Sequence, residues 1–315
     1  MELTSYFLIK DVLNMQDFYT YGIHKVQNYI DENYCKNITV DDMAKISGFS
    51  RFHFSRIFKA ILNESPMEYV NRIRLEHSLF LISHRKDMNM TDVALELGFS
   101  DSTVFTRTFK KYFKISPSVY RKQNSTNCKE NYFISTYNKT DKTKKWTENT
   151  LSETQSVRFE RISEFEVIYV RHIGDYISLA KNYKKLMNTL FTEAKKQNLL
   201  KTKESKFISI YHDNPEFGTE NQFRTSLCLT YPSDCNPNET EQISKMKIEG
   251  GLYMIGHFEI TANQFEDAWD YMYQQWIIGK KHMPRNSYPF ELYLNNPEDE
   301  KEHLIKVDIY VPLEE

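Results

Sequence analysis

The chain contains the same passage twice. Gly48–Lys59 reads GFSRFHFSRIFK, and fifty residues later Gly98–Lys110 reads GFSDSTVFTRTFK. The match extends to both sides. Asp42 and Ala44 return as Asp92 and Ala94; after one inserted residue, Arg56, Phe58, Lys59, Ser65, Pro66 and Tyr69 return as Arg107, Phe109, Lys110, Ser116, Pro117 and Tyr120. A repeat of this length means that one supersecondary unit is used twice, so both copies must take the same fold.

Each copy predicts helix, tight turn, helix. Thr39 with Asp42, and Asn89 with Asp92, place a capping side chain and an acid at the start of the first helix. Gly48 and Gly98 predict its end, because glycine accepts the left-handed backbone that closes a helix. Ser50 and Ser100 stand where the second helix would be capped. In that helix Phe54, Ile57, Phe58 and Ile61 fall at i, i+3, i+4 and i+7, a stripe for the core. The opposite face carries Arg51, Phe52, Ser55, Arg56 and Lys59 in the first copy, and Ser102, Thr103, Thr106, Arg107, Lys110 and Lys111 in the second. Two short helices about a glycine turn, the second basic outward, match the geometry in which the second helix enters the DNA major groove. Plain helical hairpins with solvated charges are the alternative for one copy. The same arginine and lysine kept twice argue against it.

The motifs A-x-x-x-G-F-S, R-x-F-K and S-P-x-x-Y, each present twice, resemble the DNA-binding domain of AraC/XylS-type transcription regulators over about residues 20 to 124. The resemblance implies seven helices, with two helix-turn-helix units joined by a long central helix, here about Ser65 to Ser83. It implies double-stranded promoter DNA and RNA polymerase as partners. It also places base contacts at the matching positions, with Arg56 and Arg107 foremost and Arg51, Phe52, Ser55, Lys59, Ser102, Thr103, Thr106 and Lys110 beside them. The family often has tryptophan where Phe52 stands, and longer polar side chains where Ser55, Ser102 and Thr103 stand.

Charge supports the same reading. The whole chain of 315 residues carries a net charge of −2, a poor match to DNA if it were uniform. From Lys45 to Lys122, however, 14 Lys and Arg face 7 Asp and Glu, a local +7 that leaves −9 for the remainder. The basic excess coincides with the repeat, as a phosphate-binding surface requires.

At this length two or three domains are expected. No apolar run is long enough for a membrane helix, and the amino terminus lacks the basic start of a signal peptide, so a cytoplasmic protein is expected. Cys35, Cys128, Cys228 and Cys235 show no ligand-like spacing and are expected as free thiols. No nucleophile-elbow, zinc-protease or nucleotide-loop motif occurs, so no catalytic residue, metal or cofactor is expected. Residues 1–20 are expected as a short extension or a leading helix, and 21–124 as the DNA-binding domain. Residues 125–155, rich in Asn, Ser, Thr and Lys, are expected as a linker, with a short strand conceivable at Tyr132–Tyr137.

From Ser156 the periodicity changes. VRFERI, FEVIYVRHIG, FISIYHD and FRTSLCLTYP alternate as strands about a helix from Tyr176 to Asn198; GLYMIGHFE, FELYLNN and LIKVDIYVP do so about a helix from Gln264 to Ile278. SIYHDNP at Ser209–Pro215 answers ELYLNNP at Glu291–Pro297, and His172 answers His257 in what reads as a repeated turn. Both histidines are expected as hydrogen-bonded scaffold. Two copies of a sheet with one packed helix predict a pseudo-twofold α+β domain over 156–315, following the all-α domain, with a ligand crevice between its halves.

R-H-I-G-D-Y, I-Y-H-D-N-P, F-E-L-Y-L-N-N-P and the closing D-I-Y-V-P-L resemble the GyrI-like effector-binding domain. The resemblance implies that Glu291 lies in a hydrophobic cleft and faces a small amphipathic or cationic effector. From the residues alone, a carboxylate between Phe290 and Tyr293 is costly to bury unless it meets a positive partner. Tyr293, Tyr211, Trp276, Trp269 and Tyr273 are expected as aromatic walls. A solvated Glu291 beside an ordinary aromatic core is the alternative. At the level of function, the alternatives are a protein partner for this domain and a hydrolase activity.

Overall fold

The computed structural model describes residues 2–126, 156–200, 205–213, 223–273, 276, 282, 284–295 and 304–314. The expected strand at Tyr132–Tyr137 and most of the linker lie outside these residues.

Seven helices come first: α1 (Glu2–Asn33), α2 (Val40–Ser47), α3 (Arg51–Leu62), α4 (Pro66–His84), α5 (Met90–Glu96), α6 (Ser102–Phe113) and α7 (Pro117–Thr126). α1 runs unbroken through the segment expected as an extension or a leading helix, so the second form holds, and α7 continues into the polar stretch read as linker. Both copies of the repeat open on a reciprocal capping box. Asp42 N donates to Thr39 Oγ1 at 3.2 Å while Thr39 N donates to Asp42 Oδ2 at 3.1 Å. Asn89 and Asp92 do the same at 3.0 and 2.9 Å. Thr39 holds the Asp42 carboxyl below its ordinary range. Gly48 and Gly98 both close their helices at φ +76°, as expected.

Two local expectations fail. Ser50 stands at the start of α3 but makes no side-chain cap bond. In the second copy the cap is Asp101, whose Oδ1 accepts from Thr103 N and Val104 N, both at 2.8 Å. The inserted residue moves the cap one place along, and a carboxylate is the stronger acceptor for the exposed amides of a helix start. The core stripe of α3 is Phe54, Phe58 and Leu62, while Ile57 and Ile61 are only half-buried.

α4 is tied by buried arginines. Arg74 donates to the carbonyls of Tyr34 and Lys36, both at 2.7 Å, which fastens the end of α1. Arg72, 4% exposed, is clamped between Glu64 at 2.8 Å and Glu76 at 3.0 Å.

The second region is one antiparallel sheet of β1 (Ser156–Ile162), β2 (Phe165–Ile173), β3 (Phe207–Tyr211), β4 (Arg224–Thr230), β5 (Ser244–Ile248), β6 (Gly251–Ile260), β7 (Phe290–Tyr293) and β8 (Ile305–Pro312). Among the described residues two α-helices accompany it, α8 (Tyr176–Lys196) and α9 (Phe265–Tyr271). The strand β5 is too polar, as SKMKI, to show in the sequence pattern. The strand order is β1-β6-β8-β7-β3-β4-β2-β5, so each half lends its leading strand to the other. Only Ser163 and Glu164 separate β1 from β2, although these strands lie near opposite ends of that order. The sheet must therefore curl until its ends meet. A Cβ on Gly250, in the equivalent β5–β6 link, would lie 2.8 Å from Glu164 N, so the two links touch.

Alternation sorts the residues by face. Met254, Phe258, Val307, Ile309 and Val311 pack outward with α9. Val167, Tyr169, Ile208, Ile210, Tyr253, Phe290, Leu292 and Tyr310 line the inside of the curl.

The register corrects the expected match of the histidines. Ser209 stands opposite Glu291. Tyr211 pairs with Thr225 and Tyr293 with Val307; Thr225 in turn pairs with His172 and Val307 with Phe258. His172 is thus the counterpart of Phe258, and His257 that of Arg171. A one-residue slip reverses the face, and both histidines lie in strands, not turns. The scaffold role holds: His172 Nε2 bonds Ser178 Oγ at 2.8 Å, and His257 Nδ1 bonds Asp308 Oδ1 at 2.7 Å.

Candidate functional site

On α3, Phe52 is 85% exposed. Arg51, Arg56 and Lys59 are exposed with it, and Ser55 is half-exposed with its hydroxyl turned back to the Arg51 carbonyl at 3.0 Å. Arg51 pairs with Asp41 at 3.2 Å in open solvent, a contact of little stabilising value. On α6, Thr103, Arg107 and Lys110 are exposed, Ser102 and Thr106 half-exposed. Arg56 and Arg107 make no ion pair among the described residues, so two guanidinium groups stand free at equivalent places on two short helices. Burial of Phe54, Phe58, Phe105 and Phe109 on the opposite faces holds these side chains outward.

The carboxylate of Glu291 is 1% exposed. Its Oε1 accepts from Trp269 Nε1 at 2.7 Å, and its Oε2 from Tyr293 Oη at 2.7 Å and Tyr211 Oη at 3.1 Å. Alternation along β7 puts Glu291 and Tyr293 on the outward face, while β3 presents Ser209 and Tyr211 beside them. All three donors are neutral, and no ion pair to Glu291 exists among the described residues. Burial pushes its carboxyl above the usual 4.5, opposed by the three hydrogen bonds. Burial and then the charge of Glu291 push the Tyr293 hydroxyl well up.

Of the expected walls, Tyr293, Tyr211 and Trp269 thus converge on the carboxylate. Tyr273 stacks on Trp269 at 6.0 Å and 15°, one layer further out. Trp276, half-buried, packs against the core cluster that holds Trp269 and Tyr273, with its ring 5.9 Å from that of Phe159. Helical spacing put it on the same stripe as Trp269; between the two, the chain departs from regular α-helix at Met272 and Tyr273. Other rings complete the cage: Phe207 lies 5.1 Å and Phe265 6.2 Å from Tyr293, and Tyr176 lies 6.0 Å from Tyr211. Tyr183 on α8, near Phe207, has its hydroxyl pushed up to about 12 by burial and by Glu291. Their sequence signal was weak. Only the i, i+7 spacing of Tyr176 and Tyr183 marked a common helix face.

The arrangement holds a buried carboxyl in an aromatic shell with hydrogen-bond donors but, among the described residues, no counter-ion. Such a shell can receive a cation by charge and by its ring faces. No helix among the described residues is long and apolar enough to cross a membrane.

Known proteins resemble both regions of the chain. Residues 155–314 match the family described as "GyrI-like small molecule binding domain", and residues 43–123 match a helix-turn-helix domain family. The probable transcription factor PqrA of Proteus vulgaris is 38% identical over 96 residues, which are 30% of this chain and 78% of PqrA. The lactose operon transcription activator of Staphylococcus xylosus is 36% identical over 114 residues, 36% of this chain and 40% of the activator. The Msm operon regulatory protein of Streptococcus mutans is 33% identical over 105 residues, 33% and 37% of the two chains. The chain thus spans about two fifths of the length of the last two regulators. Among solved structures, the EcmrR C-terminal domain is 20% identical, with 51% of this chain and 99% of that one covered and a TM-score of 0.43.

Proposed function

This chain belongs to the GyrI-like small-molecule-binding family and is a DNA-binding transcription regulator of AraC type, and from that premise we propose that a small amphipathic cation bound at Glu291 modulates its action at promoters. The observation that carries the reading is a carboxylate 1% exposed whose hydrogen-bond partners are two phenols and an indole. An ionised group without a counter-charge is among the most costly things a protein can bury. A cationic ligand supplies that charge, and the surrounding rings add cation–π attraction.

DNA is read by α3 and α6 in successive major grooves, since one chain already presents two equivalent helices. Arg56 and Arg107 read guanine or hold phosphate, Phe52 and Thr103 meet base edges, and Lys59 and Lys110 hold the backbone. Action at promoters places the protein in the cytoplasm, with RNA polymerase as the partner it must reach. The test is a titration of the full chain with a cationic amphiphile and a neutral analogue of similar shape, monitored by tryptophan fluorescence. Glu291→Gln should weaken the cation at least tenfold and spare the neutral compound. Equal loss for both would make Glu291 a folding residue and end the reading.

A further inference from the structure

The curled sheet has two mouths related by its internal twofold. The register that makes His172 the counterpart of Phe258 also makes Glu164 the counterpart of Gly250 and Phe165 that of Gly251. At the Gly250 mouth an arginine fills the space. Arg285 Nη1 donates to the Gly250 carbonyl at 2.8 Å, Nη2 to Tyr253 Oη at 3.3 Å, and its guanidinium carbon lies 5.4 Å from the centre of the Tyr253 ring.

The Glu164 mouth is open. It holds a cavity of about 620 Å³, with Phe165, Phe290 and Tyr310 on its apolar side. Among the described residues three carboxylates line it, Glu160, Glu164 and Glu166, against one ammonium, Lys206. Glu164 is met by Lys247 at 2.6 Å. Among the described residues Glu160 has only a long contact with Arg158, 3.4 Å, and that guanidinium is held more closely by Asp308 at 2.8 Å. Glu166 accepts a hydrogen bond from the neutral hydroxyl of Tyr231 at 2.6 Å. The volume suits one small molecule, and an eight-strand curl is about the size at which a sheet can enclose one. Phe290 and Leu292 point into this space from the strand whose Glu291 points the other way, so the cavity is separate from the Glu291 cage.

We propose that the open mouth is a second small-molecule site, which takes a planar aromatic cation where the other half places Arg285. The ring lies against Phe165 and Tyr310, and the positive charge faces Glu160 and Glu166. This does not depend on the Glu291 reading.

Proflavine serves as the probe, with acridine, the same ring without the amino groups and uncharged at pH 8, as its neutral analogue. Cys235 lines the cavity and provides a local reporter. In the full-length Glu291→Gln chain, proflavine should still bind and should protect Cys235 from iodoacetamide, while the exposed Cys35 stays reactive. Adding Glu160→Gln and Glu166→Gln should weaken proflavine at least tenfold and leave acridine unchanged. Absence of proflavine binding, binding that leaves Cys235 unprotected, or unaltered affinity in the triple variant would each overturn the proposal.

Discussion

Ser209 lies directly across the β3–β7 ladder from Glu291, and the internal repeat makes the two residues equivalents of one another. The twofold relating the halves therefore passes through this pair, where a residue must face its own counterpart. A glutamate in both halves would set two buried carboxylates side by side. The serine, 2% exposed, keeps the charge single.

Restoring the symmetry should expose that constraint. Side chains directly opposite in such a ladder are only about 5 Å apart at Cβ. In Ser209→Asp one carboxyl must therefore stay protonated, with its pKa raised. A raised acid pKa leaves stability intact below the unfolded value of about 4 and removes it as pH rises above that. The melting temperature of the variant should fall further below wild type at pH 8 than at pH 5. Ser209→Asn should show no such difference.

Glu291 itself titrates in the same sense. Its folded pKa lies above 4.5, so the ionisation penalty on folding is absent below that pH and grows as pH rises toward the folded value. A bound cation favours the ionised form, so binding in that interval should release a proton. The calorimetric binding enthalpy should then vary with the ionisation enthalpy of the buffer. In Glu291→Gln that dependence should vanish.

On the DNA face, Arg56→Ala or Arg107→Ala should cost about 1–3 kcal/mol and relax specificity at the base each arginine meets. Lys59→Ala should weaken all sequences alike and reduce the salt dependence of binding by about one ion. Band-shift titrations over a set of promoters at two salt concentrations separate the outcomes. Affinity within twofold of wild type for Arg56→Ala would remove it from the reading surface.

One chain should suffice for each site. Half-site centres one helical turn apart, about 10 base pairs, predict a footprint of about 20 base pairs. Two chains on a short asymmetric site, measured by band-shift stoichiometry, would contradict this.

The two turn glycines should respond differently to alanine. Both have φ +76°, which costs a side chain roughly 1–2 kcal/mol. Around Gly48 nothing lies within 4 Å of an added Cβ, but at Gly98 that Cβ would strike the Cys35 carbonyl. Gly48→Ala should therefore lose only the conformational cost. Gly98→Ala should lose several kcal/mol, because the Cys35 backbone is held by the Arg74 bonds on either side of it. Denaturant unfolding of the two variants makes the comparison.

By itself the sequence determined whatever depends on neighbours along the chain. Periodicity and capping gave both helix-turn-helix units, and repetition of those patterns revealed both duplications. Strand alternation also placed Glu291 and Tyr293 on a common face. Anything set by pairing between distant strands lay beyond its reach. The repeat equated Ser209 with Glu291 but did not say that they touch; only the register puts the pair on the axis. The same register moved His172 to the counterpart of Phe258, because a one-residue slip leaves composition almost unchanged while reversing every face. That the Trp276 ring meets Phe159 of β1 is likewise decided by packing between elements distant in the chain. The open mouth beside Glu164 exists only because the sheet curls until two short links meet, and strand closure of that kind is decided by tertiary packing across the whole domain.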